Sequence, residues 1–138
     1  MSDIHEQIVN LLSLDGERIS GFDGDEAQAE AEAILSCRGG PYCAVRNWII
    51  VDVDAPADYC IALGGNGLEP FVLYAGDVVF HSGGSWGQGV FVRTTFSIST
   101  PEGHVFRTTD MTYVLMGQGC RKTASLEAVV AIKNRRLA

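Results

Sequence analysis

The chain has 138 residues, 46 % of them hydrophobic, with 17 Asp and Glu against 10 Lys and Arg, a formal charge of −7 and a pI of about 4.8. That is one domain's worth of chain with enough apolar content for a real core, and the acid excess argues against direct binding of nucleic acid. No run approaches the eighteen or so apolar residues of a membrane span, and the start, MSDIHEQIVN, lacks the layout of a secretory signal, so a cytoplasmic protein without a membrane partner is expected.

Charge is unevenly placed. Residues 1 to 36 carry nine acids against Arg18 alone, whereas residues 120 to 138 carry Arg121, Lys122, Lys133, Arg135 and Arg136 against Glu127. The acidic front reads most simply as a solvated helix face; the functional alternative is that residues such as Glu26 and Glu30 address a basic surface on a partner.

In chain order, Ser2 or Asp3 caps a first helix with the stripe Ile4, Ile8, Leu11 and Leu12, ending near Asp15-Gly16. A second helix starts at Asp23 or Asp25, places Ala27, Ala31, Ile34 and Leu35 on one face, and stops at Gly39-Gly40-Pro41. Arg46 to Asp54 is the first predicted strand, Ile49, Val51 and Val53 alternating with Trp48, Ile50 and Asp52. Pro56 opens a short helix capped by Asp54 and carrying Tyr59, Ile61, Ala62 and Leu63. Phe71 to Tyr74 and Val78 to His81 are apolar β runs split by Gly76-Asp77, either a tight turn or a kink in one strand.

Gly89 to Gly119 reads as one long hairpin turning at Thr100-Pro101-Glu102-Gly103, with Gly103 as a left-handed bulge. That register sets Ile98 against Phe106 and Phe96 against Thr108. Val90, Val92, Phe96, Ile98 and Phe106 then share one face, and Arg93, Ser97 and Arg107 the other. Tyr113 to Met116 is apolar on both faces, as in a central strand, with a bulge near Asp110. After Gly117-Gln118-Gly119 comes a final helix capped by Ser125, with Leu126, Val129, Val130 and Ile132 apolar and Lys133, Arg135 and Arg136 near its C-terminus. The expected architecture is a single α+β domain over 1–138: an acidic helical part to residue 36, a β-rich core over 37–125 and a C-terminal helix over 125–136. Its sheet is expected to be curved, mostly antiparallel and of about five strands.

Cys37-Arg38-Gly39-Gly40-Pro41, Trp48-Ile49 with Val51-Asp52, Val72-Leu73-Tyr74-Ala75, Val78-Val79-Phe80, Val92-Arg93, and Tyr113-Val114-Leu115 with Gly117 and Gly119 resemble an uncharacterised domain family of Pseudomonas and its prophages. The resemblance covers roughly residues 37 to 125 and implies a genomic setting without an assigned activity. Its members carry an acidic residue where this chain has His81, and basic residues where it has Gly83-Gly84.

Chemistry is sparsely signalled. Cys37, Cys43, Cys60 and Cys120 form no CxxC or paired zinc knuckle and read as free thiols, with a zinc site using His81 or His104 as the weaker alternative; no metal or cofactor is expected. The loop Ser82 to Gly89 matches neither glycine-rich phosphate motif. It reads as a plain connection, with Trp86 as the residue through which it would touch a partner. His81 reads as a sheet-edge residue before a general base, and Arg93 with Arg107 as a solvated face before a shared anion patch. Asp52, Asp54 and Asp58 make a poor divalent-metal site.

The favoured function is a small acidic phage or prophage accessory protein that binds a host protein and inhibits or redirects it, of the anti-defence or anti-CRISPR kind. The alternatives are a homodimer, paired through open strand edges, that binds a small anionic nucleotide with Arg93, Arg107 and Trp86, and an unrecognised transferase or hydrolase.

Overall fold

The computed structural model describes residue 9 and residues 16–82, 92–101 and 103–134, the last four by their backbone path alone. Everything is arranged about β2, Tyr42–Asp54, whose thirteen residues include two apolar runs, Tyr42 to Val45 and Trp48 to Val51, with Val53 after them. A strand of that composition must be covered on both faces. It pairs antiparallel along its length with β3, Phe71–His81. On its other side two shorter strands run parallel to it in succession: β6, Thr112–Leu115, beside its first half, and β7, Gln118–Ser125, beside its second.

The sheet is completed by β1, Glu17–Ser20, against β7; β4, Val92–Arg93, against β3; and β5, Val105–Arg107, against β6. Among the described residues it has seven strands in one open sheet. Isolated bridges from Ser97 to Glu69 and to Thr108 bring its two sides together. Three helices are described: α1, Glu26–Ser36; α2, Ala57–Gly65; and α3, Leu126–Asn134.

One face of β2 presents Cys43, Val45, Trp48 and Ile50 to Leu73, Ala75, Val78, Val92, Phe106, Tyr113 and Leu115. The other divides in two. Ile49, Val51 and Val53 pack with Val72, Tyr74 and Cys120 under Val129 of α3, and Ala44 packs with Val79, Val114 and Met116 under Ala29 and Ala33 of α1. Val45 and Trp48 share a face although three residues apart, because Asn47 adopts a left-handed φ of +55° and resets the alternation. Asn tolerates that conformation better than most residues.

The parallel pair β6 and β7 is broken at Met116-Gly117, and the break is held from both sides. Trp48, fully buried, donates its indole Nε1–H to the Met116 carbonyl at 3.0 Å. Gly21 N donates to Gly117 O at 2.8 Å, and Gly117 N donates to Phe22 O at 3.0 Å. Gly119 lies directly against the indole, so that a Cβ there would collide with Cδ2, Cε2 and Cε3 of Trp48.

Several expectations are borne out. The alternation of Ile49, Val51 and Val53 against Trp48 and Ile50 is as read. Residues 71–81 form one strand through Gly76-Asp77, not two joined by a tight turn. Residues 112–115 are buried throughout. Gly103 has φ +61°. Asp25 caps α1 in a reciprocal box with Gln28, and Ser125 Oγ accepts from Ala128 N at 3.2 Å.

Others are corrected. The sheet has seven strands rather than about five: β1 and β7 were missed, and β1 places a strand inside the part read as helical. Two ladders at the centre are parallel, between β2 and β6 and between β2 and β7. Among the described residues the long hairpin is two short arms meeting at a single bridge, Ser97 with Thr108, and Ile98 N donates to Arg107 O. That register is one residue from the expected pairing. Phe96 accordingly packs on the α3 side of the sheet against Tyr59, Phe106 packs on the Trp48 side, and Ile98 is left 43 % exposed.

The reason lies in the next connection. Thr108 Oγ1 accepts from Met111 N at 3.1 Å and donates to Met111 O at 3.2 Å, closing a tight turn that pairs β5 with β6 instead. Asp54 does not cap α2, whose N-cap is Pro56 without a side-chain bond, and of that helix's apolar residues only Leu63 is buried. In α1 the buried side is Ala29 and Ala33; Ala27, Ala31, Ile34 and Leu35 point outward. The first helix lies outside the described residues except for Val9 and Gly16, and Val90, Arg135 and Arg136 lie outside them too.

A candidate site at the end of the first described helix

α1 ends at Ser36, Cys37 is its C-cap, and the chain then turns through Arg38 with φ +53° and Gly39 with φ +84°. Glycine is the usual residue at such a turn, and an L-residue there costs on the order of 1 to 2 kcal/mol. Arg38 occupies it nonetheless.

Opposite stands β5. Arg107 Nη2 donates to the Ser36 carbonyl at 3.1 Å, which satisfies one of the open carbonyls of α1 and sets a cation where the helix dipole favours it. Between these two segments and the turn from β5 to β6 is a cleft of about 280 Å³. Arg38 and Arg107 line it together with Pro41, Ile98, Ser99 and Asp110. A second hollow shares Ser99 and Arg107 with it, so Arg107 borders two neighbouring hollows. Among the described residues neither guanidinium is within ion-pair distance of a carboxylate; the ion pairs formed there are Arg121 with Asp52 and His104 with Glu32.

The residues singled out from the sequence are dispersed. Arg93 does not share this cleft; it stands opposite Tyr74 on the neighbouring strand. Burial pushes the Tyr74 phenol up, and the positive charge of the Arg93 guanidinium beside it holds that rise back. Arg93 Nε is buried with no hydrogen-bond partner among the described residues. The cleft brings Arg38, and not Arg93, together with Arg107. Arg38 lay in the motif that carries the family resemblance, and the signal that marks it, arginine where a helix-ending glycine is usual, is visible only once the helix end is known.

His81 closes β3 and is the cross-strand neighbour of Cys43. That is a juxtaposition of thiol and imidazole, but Cys43 is fully buried and burial pushes its thiol up to about 12, which favours the protonated thiol over the reactive thiolate at neutral pH. All four cysteines are unbridged. Glu26 and Glu30 are exposed on α1, Glu30 Oε2 accepting from the Tyr42 hydroxyl at 3.3 Å. Trp86 lies outside the described residues. Among those residues no three His, Cys, Asp or Glu side chains converge as metal ligands, and no helix is long and apolar enough to cross a membrane.

Residues 20–131 match a family model described as Domain of unknown function (DUF6957). The chain belongs to the DUF6957 family. The DUF6957 match starts at the last residue of β1 and so includes α1, which the resemblance read from residue 37 onward had left out. The packing of Ala29 and Ala33 on Val79, Val114 and Met116 shows why: in this DUF6957 domain α1 covers the first half of β2 and is part of the core. No curated protein and no solved structure matches the chain.

Proposed function

We propose that this protein is a small accessory factor of the prophage kind that attaches to a host protein and inhibits or redirects it, in the setting of defence against phage, and that its contact surface is the outer face of α1. The observation that carries the reading is that Ala27, Ala31, Ile34 and Leu35, spaced at i, i+4, i+7 and i+8, are all exposed, Ile34 at 55 % and Leu35 at 79 %. Contiguous apolar side chains at helical spacing are the anchors by which a helix lies in a groove of another protein. Exposed Glu26 and Glu30 on the same helix, in a chain of net charge −7, suit a groove with a basic rim.

Capture from a host lysate names the partner, and the purified complex then tests the surface. Ile34→Asp and Leu35→Asp are expected to weaken it at least tenfold while leaving the melting temperature unchanged, and Glu26→Lys with Glu30→Lys to slow association and flatten its salt dependence. A complex indifferent to these changes excludes the α1 face. Expression that leaves phage defence unaltered, with no partner recovered, excludes the inhibitor.

A further inference from the structure

The cleft at the end of α1 is a separate feature, with a chemistry of its own. In a chain with 17 acids and 10 bases, two arginines line one cleft and neither is paired with a carboxylate among the described residues. Arg107 is held in place by its bond to the Ser36 carbonyl, so one edge of its fork is occupied and the rest faces the cleft it lines. Arg38 stands in a left-handed conformation that glycine would adopt without strain, and the residue after it is glycine. Strain of this sort persists where the side chain it presents is used. Guanidinium groups match the planar oxygens of phosphate and carboxylate, and two of them together match a doubly charged phosphate.

The walls add to the match. Ser99 lines both hollows, and Ile98, Pro41 and Met111 supply an apolar side to the cleft. Among the described residues the cleft lining holds no aromatic ring on which a base would stack. Asp110 also lines the cleft and sets an upper limit on how much negative charge it accepts. We propose that this cleft binds a small phosphorylated metabolite without an aromatic base, its phosphate held between Arg38 and Arg107 and its polar body in the adjoining hollow beside Ser99.

The test uses the full chain, titrated with inorganic phosphate and with ribose 5-phosphate at constant ionic strength, chloride serving as the control. Both probes are expected to raise the melting temperature above the chloride control, ribose 5-phosphate binding at least tenfold more tightly because it fills the second hollow as well. Arg38→Gly is the decisive variant: it relieves the left-handed strain, so it should melt at or above the wild-type temperature while binding either probe at least tenfold more weakly. Arg107→Gln should lose binding too, and Arg93→Gln, outside the cleft, should retain it. Equal affinity for the two probes, both lost in Arg38→Gly, overturns the metabolite and assigns the site to free phosphate. No stabilisation beyond chloride, or stabilisation that survives in Arg38→Gly, overturns the site altogether.

Discussion

Gly119→Ala is the substitution whose cost the packing states most directly. The added methyl would be driven into the ring-fusion edge of Trp48, and the indole has nowhere to retreat. It is fully buried, its Nε1–H is tied to the Met116 carbonyl, and the Gly21 backbone stands so near Cζ2 that a Cβ there would be 3.0 Å from it. Overpacking a closed site costs about 1 to 3 kcal/mol when neighbours adjust, and a pinned ring puts this case at the upper end. About 3 kcal/mol corresponds to a fall in melting temperature on the order of 10 °C for a chain of this size.

Trp48→Leu removes the ring and the donor to Met116 O and should cost about 3 to 5 kcal/mol by itself. In that background the methyl at residue 119 has room, and Gly119→Ala should cost less than about 1 kcal/mol, leaving a coupling of about 2 kcal/mol between the two positions. Urea unfolding of the four proteins, followed by far-ultraviolet circular dichroism, measures all of these at once. A Gly119→Ala variant within about 0.5 kcal/mol of wild type, or one equally destabilised in both backgrounds, refutes the claim that the indole and the glycine define the join of β6 and β7.

Cys37 and Cys60, half-buried, should react with a thiol reagent in the folded protein, whereas Cys43 and Cys120, at 2 % exposure or less, should react only on unfolding; four rapidly reacting thiols would contradict the packing. Burial raises the Cys43 thiol from its ordinary value near 9.0 to about 12 and raises Tyr74 and Tyr113 as well, so the folded state holds protons that the unfolded chain releases. Stability should therefore be complete below about pH 9 and fall as the pH rises toward 12, by up to roughly 4 kcal/mol from Cys43 alone. Cys43→Ala should make that fall shallower, and an unchanged alkaline profile would refute the assignment to Cys43. Asp52→Asn removes the negative charge that faces Arg121 Nε at 2.8 Å, yet both partners are about a third exposed, so a salt-sensitive loss of no more than about 1 kcal/mol is expected in urea unfolding.

The outer face of α1 shows where local reading and packing part company. From the sequence, Ala27, Ala31, Ile34 and Leu35 form the more hydrophobic side and are expected to face the sheet. The structure buries Ala29 and Ala33, with no side-chain atoms beyond Cβ, which lets the helix approach closely over Val79 and Val114. Hydrophobic periodicity identifies an apolar side but carries no information on how near its neighbour stands. The candidate site was concealed for a related reason: Arg107 was legible as a polar strand residue, but Arg38 joins it only because α1 packs where it does.

What the sequence determined alone is whatever rests on nearest neighbours along the chain. Capping at Asp25 and Ser125, the alternation of Ile49, Val51 and Val53, the continuous strand over 71–81 and the left-handed Gly103 each depend on side chains or dihedral preferences within a few residues. The tertiary structure decided which strands exist at the sheet's margin and how they pair. β7, with the sequence QGCRKTAS, buries only Cys120 fully and has no apolar pattern that would announce it; it is a strand because β2 lies beside it in parallel register and β1 lies on its other edge. Parallel pairing joins residues some seventy positions apart, and its hydrogen bonds come from backbone that every residue has, so no local side-chain signal records it.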